Sequence, residues 1–179
     1  MKIAVFCSSS DDVSPMFFSE IERIGELLAG DGHEIIYGGT NTGCMGALAR
    51  GVLLKKGKLT GVVPQMDFML DVVQEGLTER HVVPTLSSRK EVMIRLADAF
   101  VVYPGGLGTL DEALEVLTLK NLGTVEKPVV FYNFLGVWTP LLESLDLLVE
   151  QRLIRQRLDE LVQVLDKPEQ LRENFKHAL

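Results

Sequence analysis

Short apolar runs alternate along the chain with longer segments in which apolar residues recur every three or four positions. The short runs are typical of strands buried in a parallel sheet, and the longer segments are typical of helices. Strands are predicted at residues 2–7, 34–37, 59–63, 80–83, 98–103, 127–132 and 161–165. Helices are predicted at residues 15–30, 45–56, 89–97, 113–120, 136–153 and 168–177, with a short helix or flap within 65–75. This alternation predicts an α/β fold with a mainly parallel sheet flanked by helices on both faces.

The stretch Tyr103–Glu112 joins a predicted buried strand to a predicted helix and contains three glycines, Gly105, Gly106 and Gly108. Glycine permits a tight turn and a close approach of the backbone to a ligand. The free N–H groups at the start of the next helix favour an anion, and Glu112 is predicted in the first helical turn beside it. The stretch therefore indicates either a phosphate cradle edged by a carboxylate or a sharp turn with nothing bound.

A second glycine-rich turn, residues 38–46, also joins a strand to a helix, and the polar loop that starts at Ser8 follows the first strand. Ligands of open parallel sheets bind at the carboxyl ends of the strands. Ser8 and Gly39 are therefore further candidate contacts, although a tight turn with close helix packing also explains residues 38–46. Neither turn has the lysine of a P-loop, and no dinucleotide fingerprint follows the first strand.

Length, composition and charge bear on the number of domains, the kind of ligand and the location of the protein. The 179 residues predict one domain over 1–179, and a net charge of −7 disfavours a nucleic-acid binder. No apolar run approaches the length of a membrane span, and the amino-terminal apolar run is too short for a signal peptide. The three histidines are scattered, so no metal site is predicted. Two cysteines, Cys7 and Cys44, fit a reducing compartment as small buried residues, and we expect a cytoplasmic protein.

Arg89 and Lys90 are predicted in the first turn of a helix capped by Ser87 or Ser88. Basic residues are unfavourable at this end of a helix, because the helix dipole favours anions there. The misfit suggests that both side chains face something negative, while the alternative is a solvated basic pair.

Taken together, these residues resemble the Lonely guy (LOG) family of cytokinin riboside 5′-monophosphate phosphoribohydrolases. The family pattern Pro-Gly-Gly-x-Gly-Thr-x-x-Glu is met in full by residues 104–112. The similarity covers roughly residues 1 to 165. The other matching segments are Arg89-Lys90, Ala97-Asp-Ala-Phe100, Gly38-Gly-Thr40, Gly43-Cys-Met-Gly46, Gly76-Leu-Thr-Glu79 and Lys127-Pro-Val129.

The resemblance implies a Rossmann-like fold that hydrolyses the N-glycosidic bond of a nucleoside 5′-monophosphate, without a cofactor, to free base and ribose 5-phosphate. It places the family's catalytic pair at Arg89 and Glu112. It also implies a homodimer with the site near the subunit interface. Its nucleotide contacts map onto Lys90, Gly105, Gly106, Gly108, Thr109 and Thr118, and approximately onto Asp71.

The chain departs from the family pattern at four positions, which bear on the base pocket rather than on the catalytic pair. Ser87 replaces a histidine, Thr40 a glycine, Cys44 a leucine, and Leu107 a tyrosine or phenylalanine. The preferred base, adenine or an N6-substituted adenine, therefore stays open.

N-glycoside cleavage passes through a sugar cation like that of glycoside hydrolysis. A carboxylate can stabilise this cation or activate water, and the helix dipole is expected to keep Glu112 ionised. Arg89 can orient Glu112, clamp the phosphate or assist the departing base.

Three other functions compete with hydrolysis. A nucleotide- or cofactor-binding carrier would use the glycine loops without catalysis. An amino-acid decarboxylase, a label that this family often carries, would need pyridoxal phosphate on Lys90. A purely structural dimer would leave the glycine motif unexplained.

Overall fold

A computed structural model describes residues 1–176 as one seven-stranded parallel sheet with helices on both faces, which confirms the predicted fold class. The strand order is β4-β3-β2-β1-β5-β6-β7. The strands are β1 Lys2–Phe6, β2 Glu34–Tyr37, β3 Leu59–Pro64, β4 Glu79–Val83, β5 Ala99–Val102, β6 Val129–Tyr132 and β7 Gln163–Leu165. The α-helices are α1 Pro15–Gly30, α2 Gly43–Leu54, α3 Asp67–Leu70, α4 Leu86–Leu96, α5 Leu107–Asn121, α6 Thr139–Glu150, α7 Leu158–Leu161 and α8 Pro168–Lys176, with a 3₁₀-helix at Phe134–Gly136.

Alternate residues of each central strand enter opposite halves of the core. In β1, Ile3 and Val5 pack on the side of α1, α2 and α8, whereas Ala4 and Phe6 pack on the side of α4, α5 and α6. This two-residue period is the pleat of the strand, and both sides are apolar because both are covered. Because both faces of the sheet are covered, the central strands appear in the sequence as near-continuous apolar runs.

The helices of the structure depart from the prediction at several places. The helix α4 begins at Leu86 rather than Arg89, because the Thr85 hydroxyl accepts the Ser88 N–H and caps it. The predicted helix 136–153 is shorter in the structure: Gly136 has a positive φ of 73°, and α6 runs from Thr139 to Glu150. Residues 158–161 form α7, where the sequence predicted no helix.

Two further predictions concern the segment 65–75 and the C-terminal helix. The segment 65–75 contains the short helix α3, in agreement with the first of its two interpretations. The predicted C-terminal helix is described as far as Lys176, and His177 lies outside the described residues. None of the helices within residues 1–176 is long and apolar enough to cross a membrane.

The order of the strands creates a crevice between β1 and β5. From β1 the chain moves outward through β2, β3 and β4, and it then returns to pair β5 with the other edge of β1. The loops that follow β1 and β5 therefore diverge at their carboxyl ends, where open parallel sheets bind ligands.

Candidate active site

A cleft of about 320 Å³ opens at this crevice between the first turns of α4 and α5. It is closed by the loop after β1, by Met45 of α2 and by Met69 of α3. Of the predicted site residues it brings together Ser8, Arg89, Lys90, Gly106, Gly108, Thr109 and Glu112.

Arg89 and Glu112 form a buried ion pair at the base of this cleft. The Arg89 Nη2 donates to the Glu112 Oε1 at 2.7 Å, and the two residues are 7% and 6% exposed. The Arg89 Nε is also buried and has no hydrogen-bond partner among the described residues. Of the five N–H donors of the guanidinium, one at Nη2 is therefore bound to Glu112, and the one at Nε lacks an acceptor.

The structure corrects two predictions about where Arg89, Lys90 and Glu112 lie in their helices. Arg89 is the fourth residue of α4, where its own N–H donates to the Thr85 carbonyl at 3.0 Å, and Lys90 lies in the second turn. Glu112 is the sixth residue of α5 and so lies in the second turn, not the first. The helix dipole falls off within the first turn, so it does not govern either side chain as predicted.

Burial, opposed by Arg89, raises the pKa of Glu112 above its ordinary value. The prediction that the helix dipole biases Glu112 toward its ionised form was therefore wrong, because burial shifts the pKa in the opposite direction. Desolvation penalises the charged form, and the neighbouring guanidinium compensates for part of that penalty. A carboxyl group with a raised pKa is a better proton acceptor than an exposed one near neutral pH.

The amino terminus of α5 is open to the cleft. Its N-cap residue, Gly106, has no side chain to cap the helix, and the N–H groups of Leu107, Gly108 and Thr109 have no acceptor within the helix. A β-carbon placed on Gly106 or Gly108 would meet nothing within 4 Å. Neither glycine has a positive φ, so neither is required by the backbone. Both leave space where an anion can approach the N–H groups.

The second glycine-rich turn is different, because its glycines are explained by packing. Gly39 has a φ of 83°, and a β-carbon there would lie 2.5 Å from the Val63 side chain. The Gly43 N–H, at the start of α2, donates to the Asp11 carboxylate at 2.8 Å. The position that an anionic ligand would take at this helix end is thus occupied by Asp11.

Lys90 projects toward α5 and is held by two carboxylates. Its Nζ lies 2.9 Å from an oxygen of Asp111 and 2.5 Å from the Glu115 Oε2. The hydrogen bond to Glu115, assisted by that to Asp111, raises the pKa of Lys90. Sequence reasoning did not identify Asp111 and Glu115, although their four-residue spacing places them on one face of α5.

The remaining predicted contacts lie outside this cleft. Thr118 donates to the Leu114 carbonyl and lines a separate apolar cavity with Leu145 and Leu161. Asp71 is exposed at the end of α3. Gly105 lines a neighbouring cavity with Phe17.

The two cysteines are buried, as predicted. Burial raises the pKa of Cys44 to about 11, and it raises that of Cys7, which lines the cleft, as well. Both therefore remain neutral thiols at neutral pH. Within residues 1–176 no group of three or more histidine, cysteine or acidic side chains is arranged to hold a metal ion.

The solved structures show the same fold at low sequence identity. The molybdenum cofactor binding protein from Rippkaea orientalis aligns with a TM-score of 0.75, covers 99% of this chain and 96% of its own, and is 22% identical.

Sequence relatives are more similar. A family model described as "Possible lysine decarboxylase" matches residues 45–175. A cytokinin riboside 5′-monophosphate phosphoribohydrolase from Rhodococcoides fascians is 36% identical over 80% of this chain and 73% of its own length. A protein of the same name from Arabidopsis thaliana is 35% identical over 86% of this chain and 70% of its own length. The chain therefore belongs to the LOG family of phosphoribohydrolases, a family of N-glycosyl hydrolases.

Proposed function

We propose that this protein hydrolyses the N-glycosidic bond of a nucleoside 5′-monophosphate, AMP or a cytokinin riboside 5′-monophosphate. The products are the free base and ribose 5-phosphate. One observation carries the proposal: the buried Arg89–Glu112 pair shares a cleft with the uncapped amino terminus of α5. The names of the relatives agree with the reaction.

The amino terminus of α5 binds the 5′-phosphate in this proposal. The N–H groups of Leu107, Gly108 and Thr109 supply the donors, and the glycines leave room for the phosphate oxygens. The phosphate does not react, so its binding energy can position the C1′ atom against Glu112.

Glu112 supports the reaction at C1′. The bond from C1′ to the base nitrogen breaks, and its electron pair leaves with the base, so positive charge develops on the sugar. The carboxylate stabilises that charge and accepts a proton from the water that attacks C1′. The base nitrogen gains a proton, which completes the hydrolysis.

Arg89 orients the carboxylate through its Nη2, which already donates to Glu112. Its buried Nε has no acceptor in the described residues and is available to a substrate oxygen or nitrogen. An unpaired buried donor is costly. A substrate acceptor at this atom would remove that cost.

The residues do not fit the decarboxylase label. Pyridoxal phosphate would need a neutral lysine amine, but two carboxylates hold Lys90 as an ammonium group and raise its pKa. The carrier function is compatible with the fold shared with the molybdenum cofactor binding protein. A buried cation–carboxylate pair at the ligand site favours catalysis over a carrier.

Base release from AMP and from an N6-substituted AMP tests the proposal, with Glu112→Gln as the control. Glutamine keeps an oxygen acceptor for Arg89 but cannot accept a proton. We expect adenine and ribose 5-phosphate from the wild type and at least a hundredfold less from the variant, as for loss of a catalytic base (about 10²–10⁴-fold). Nucleotide binding without base release would favour the carrier function, and full activity of Glu112→Gln would refute the role of Glu112.

The homodimer expected from the resemblance stays a prediction. Sedimentation equilibrium of the purified protein tests it directly.

A further inference from the structure

Lys90 is the neighbour of Arg89 on α4, and both residues reach across the cleft to α5. Arg89 binds Glu112, whereas Lys90 binds Asp111 and Glu115. The Lys90 side chain is only 14% exposed, so most of it is enclosed between the two helices.

Both side-chain cations that line the cleft are paired with carboxylates. Among the residues that line it in the described part of the chain, the lysines and arginines are Arg89 and Lys90. Arg89 pairs with Glu112, and Lys90 pairs with Asp111 and Glu115. Two cations against three carboxylates give a net side-chain charge of −1. The donors without a partner in the described residues are the Arg89 Nε–H and the N–H groups that begin α5, and none of them belongs to Lys90.

The two bonds of Lys90 are instead suited to fixing the position of α5 relative to α4. Asp111 and Glu115 are four residues apart and so lie about one turn apart on one face of the helix. Glu112 lies between them in sequence. When Lys90 holds both carboxylates, the helix cannot rotate about its axis or slide along it without breaking a bond. A rotation of α5 would turn Glu112 away from Arg89, and the core packing of α5 through Ala113 and Val116 resists the same movement from the other side of the helix.

We propose that Lys90 is a positioning residue rather than a phosphate ligand, and that its bonds to Asp111 and Glu115 hold Glu112 against Arg89. This inference rests on the proposed hydrolysis. It differs from the role that the family resemblance gives to Lys90, which is direct contact with the nucleotide.

Lys90→Met tests the inference, because methionine keeps the apolar length of lysine without its charge. We expect kcat to fall about tenfold to a hundredfold, the effect of a small misplacement of a reacting group. The KM for AMP and the inhibition constant of inorganic phosphate should change less than threefold. Lys90→Arg should restore most of kcat, since a guanidinium also binds carboxylates well.

The pH profile adds a signature that a purely structural role would not give. Burial is the main cause of the raised pKa of Glu112; Asp111 adds a smaller increase, and Lys90 contributes a small decrease. The acid limb of kcat should therefore move to higher pH in Lys90→Met and to lower pH in Asp111→Asn.

The double variant Asp111→Asn/Glu115→Gln separates the two roles of Lys90 even if Lys90→Met does not fold. A positioning role predicts a lower kcat, because Glu112 is no longer held against Arg89. A Lys90 that served only as a phosphate ligand would be freed from its carboxylates, and kcat would stay within threefold of wild type.

Two results would overturn the inference. One is a tenfold weaker inhibition by phosphate in Lys90→Met, and the other is a kcat within threefold of wild type in both Lys90→Met and the double variant. If the wild type releases no base at all, the proposed function fails. Calorimetry of inorganic phosphate with Lys90→Met then still decides whether Lys90 is an anion ligand.

Discussion

Replacement of Gly108 by alanine separates the two explanations of the glycine-rich turn. A β-carbon there meets nothing within 4 Å. Gly108 is the second residue of α5, and alanine is favoured over glycine inside helices by up to about 1 kcal/mol. Because the Cα–Cβ bond of a helical residue tilts toward the amino terminus, the new methyl group would project toward the bound anion. We therefore expect unchanged or higher stability with weaker binding of ribose 5-phosphate.

The size of the effect follows from the cost of overpacking. Steric conflict with a well-packed partner costs about 1–3 kcal/mol. If the phosphate packs against the N–H groups of Gly108 and Thr109, the dissociation constant should rise about 5- to 150-fold. Isothermal calorimetry with ribose 5-phosphate measures this without turnover, and thermal unfolding measures the stability of the same sample.

Gly51→Ala is the matched control, since it is the same substitution in a helix away from the cleft. A β-carbon at Gly51 would lie 2.0 Å from the Glu22 carbonyl oxygen, where α1 and α2 pack closely. We expect a loss of about 1–3 kcal/mol, or about 2–12 °C in Tm, and unchanged affinity for ribose 5-phosphate. Wild-type affinity in Gly108→Ala would refute the phosphate site at α5, and a loss of stability there would refute the open geometry.

Three further predictions concern the charges of the site and of α2. Arg89→Ala leaves the buried Glu112 carboxylate unpaired, so the free energy of unfolding should fall by about 3–5 kcal/mol in thermal unfolding. The double variant Arg89→Ala/Glu112→Gln should recover most of that loss. Equal stability of the wild type and Arg89→Ala would contradict this prediction. Burial raises the pKa of Glu112, and the reaction needs its ionised form. We therefore expect kcat/KM to fall with decreasing pH at a midpoint above about 4.3, the ordinary pKa of glutamate. A midpoint at or below that pKa would refute this prediction. Asp11→Ala removes the acceptor of the Gly43 N–H and should lower the free energy of unfolding by about 1 kcal/mol, with base release unchanged. The control Asp12→Ala should change neither the stability nor base release.

The strands and the sheet edge of the site could be predicted from the sequence because both depend on local patterns. Each central strand is an apolar run of four to six residues, and the predicted ranges differ from β1, β2 and β3 by one residue or less. The Tyr103–Glu112 stretch contains the turn, the open helix end and Glu112 together. Its location after β5 then follows from the alternation of strands and helices.

The start of α4 was not predicted correctly because two capping signals compete within four residues. Ser87 and Ser88 resemble N-caps, but Thr85 has the extended backbone that suits an N-cap. The Ser88 N–H then donates to the Thr85 side chain. This shift moved Arg89 out of the position on which the dipole argument depended.

The two glycine-rich turns show why a local pattern cannot decide between a ligand and packing. Both follow a strand and begin a helix, and both are rich in glycine. The difference between them comes from a residue that is distant in sequence. Asp11, 32 residues before Gly43, occupies the start of α2, whereas no side chain of the described residues caps the start of α5. The local sequence pattern of residues 38–46 does not predict that Asp11 binds the start of α2.

The protonation of Glu112 depends on the same kind of distant contact. The sequence places this residue near a helix start, and the dipole alone would favour the carboxylate. The fold instead encloses it between α4 and α5, where burial raises its pKa and Arg89 partly compensates. A raised pKa and a fixed cation together favour a group that accepts a proton during the reaction and returns it afterwards. The chemistry of the site therefore depends on how α4 and α5 face each other, and this is the arrangement that Lys90 bridges.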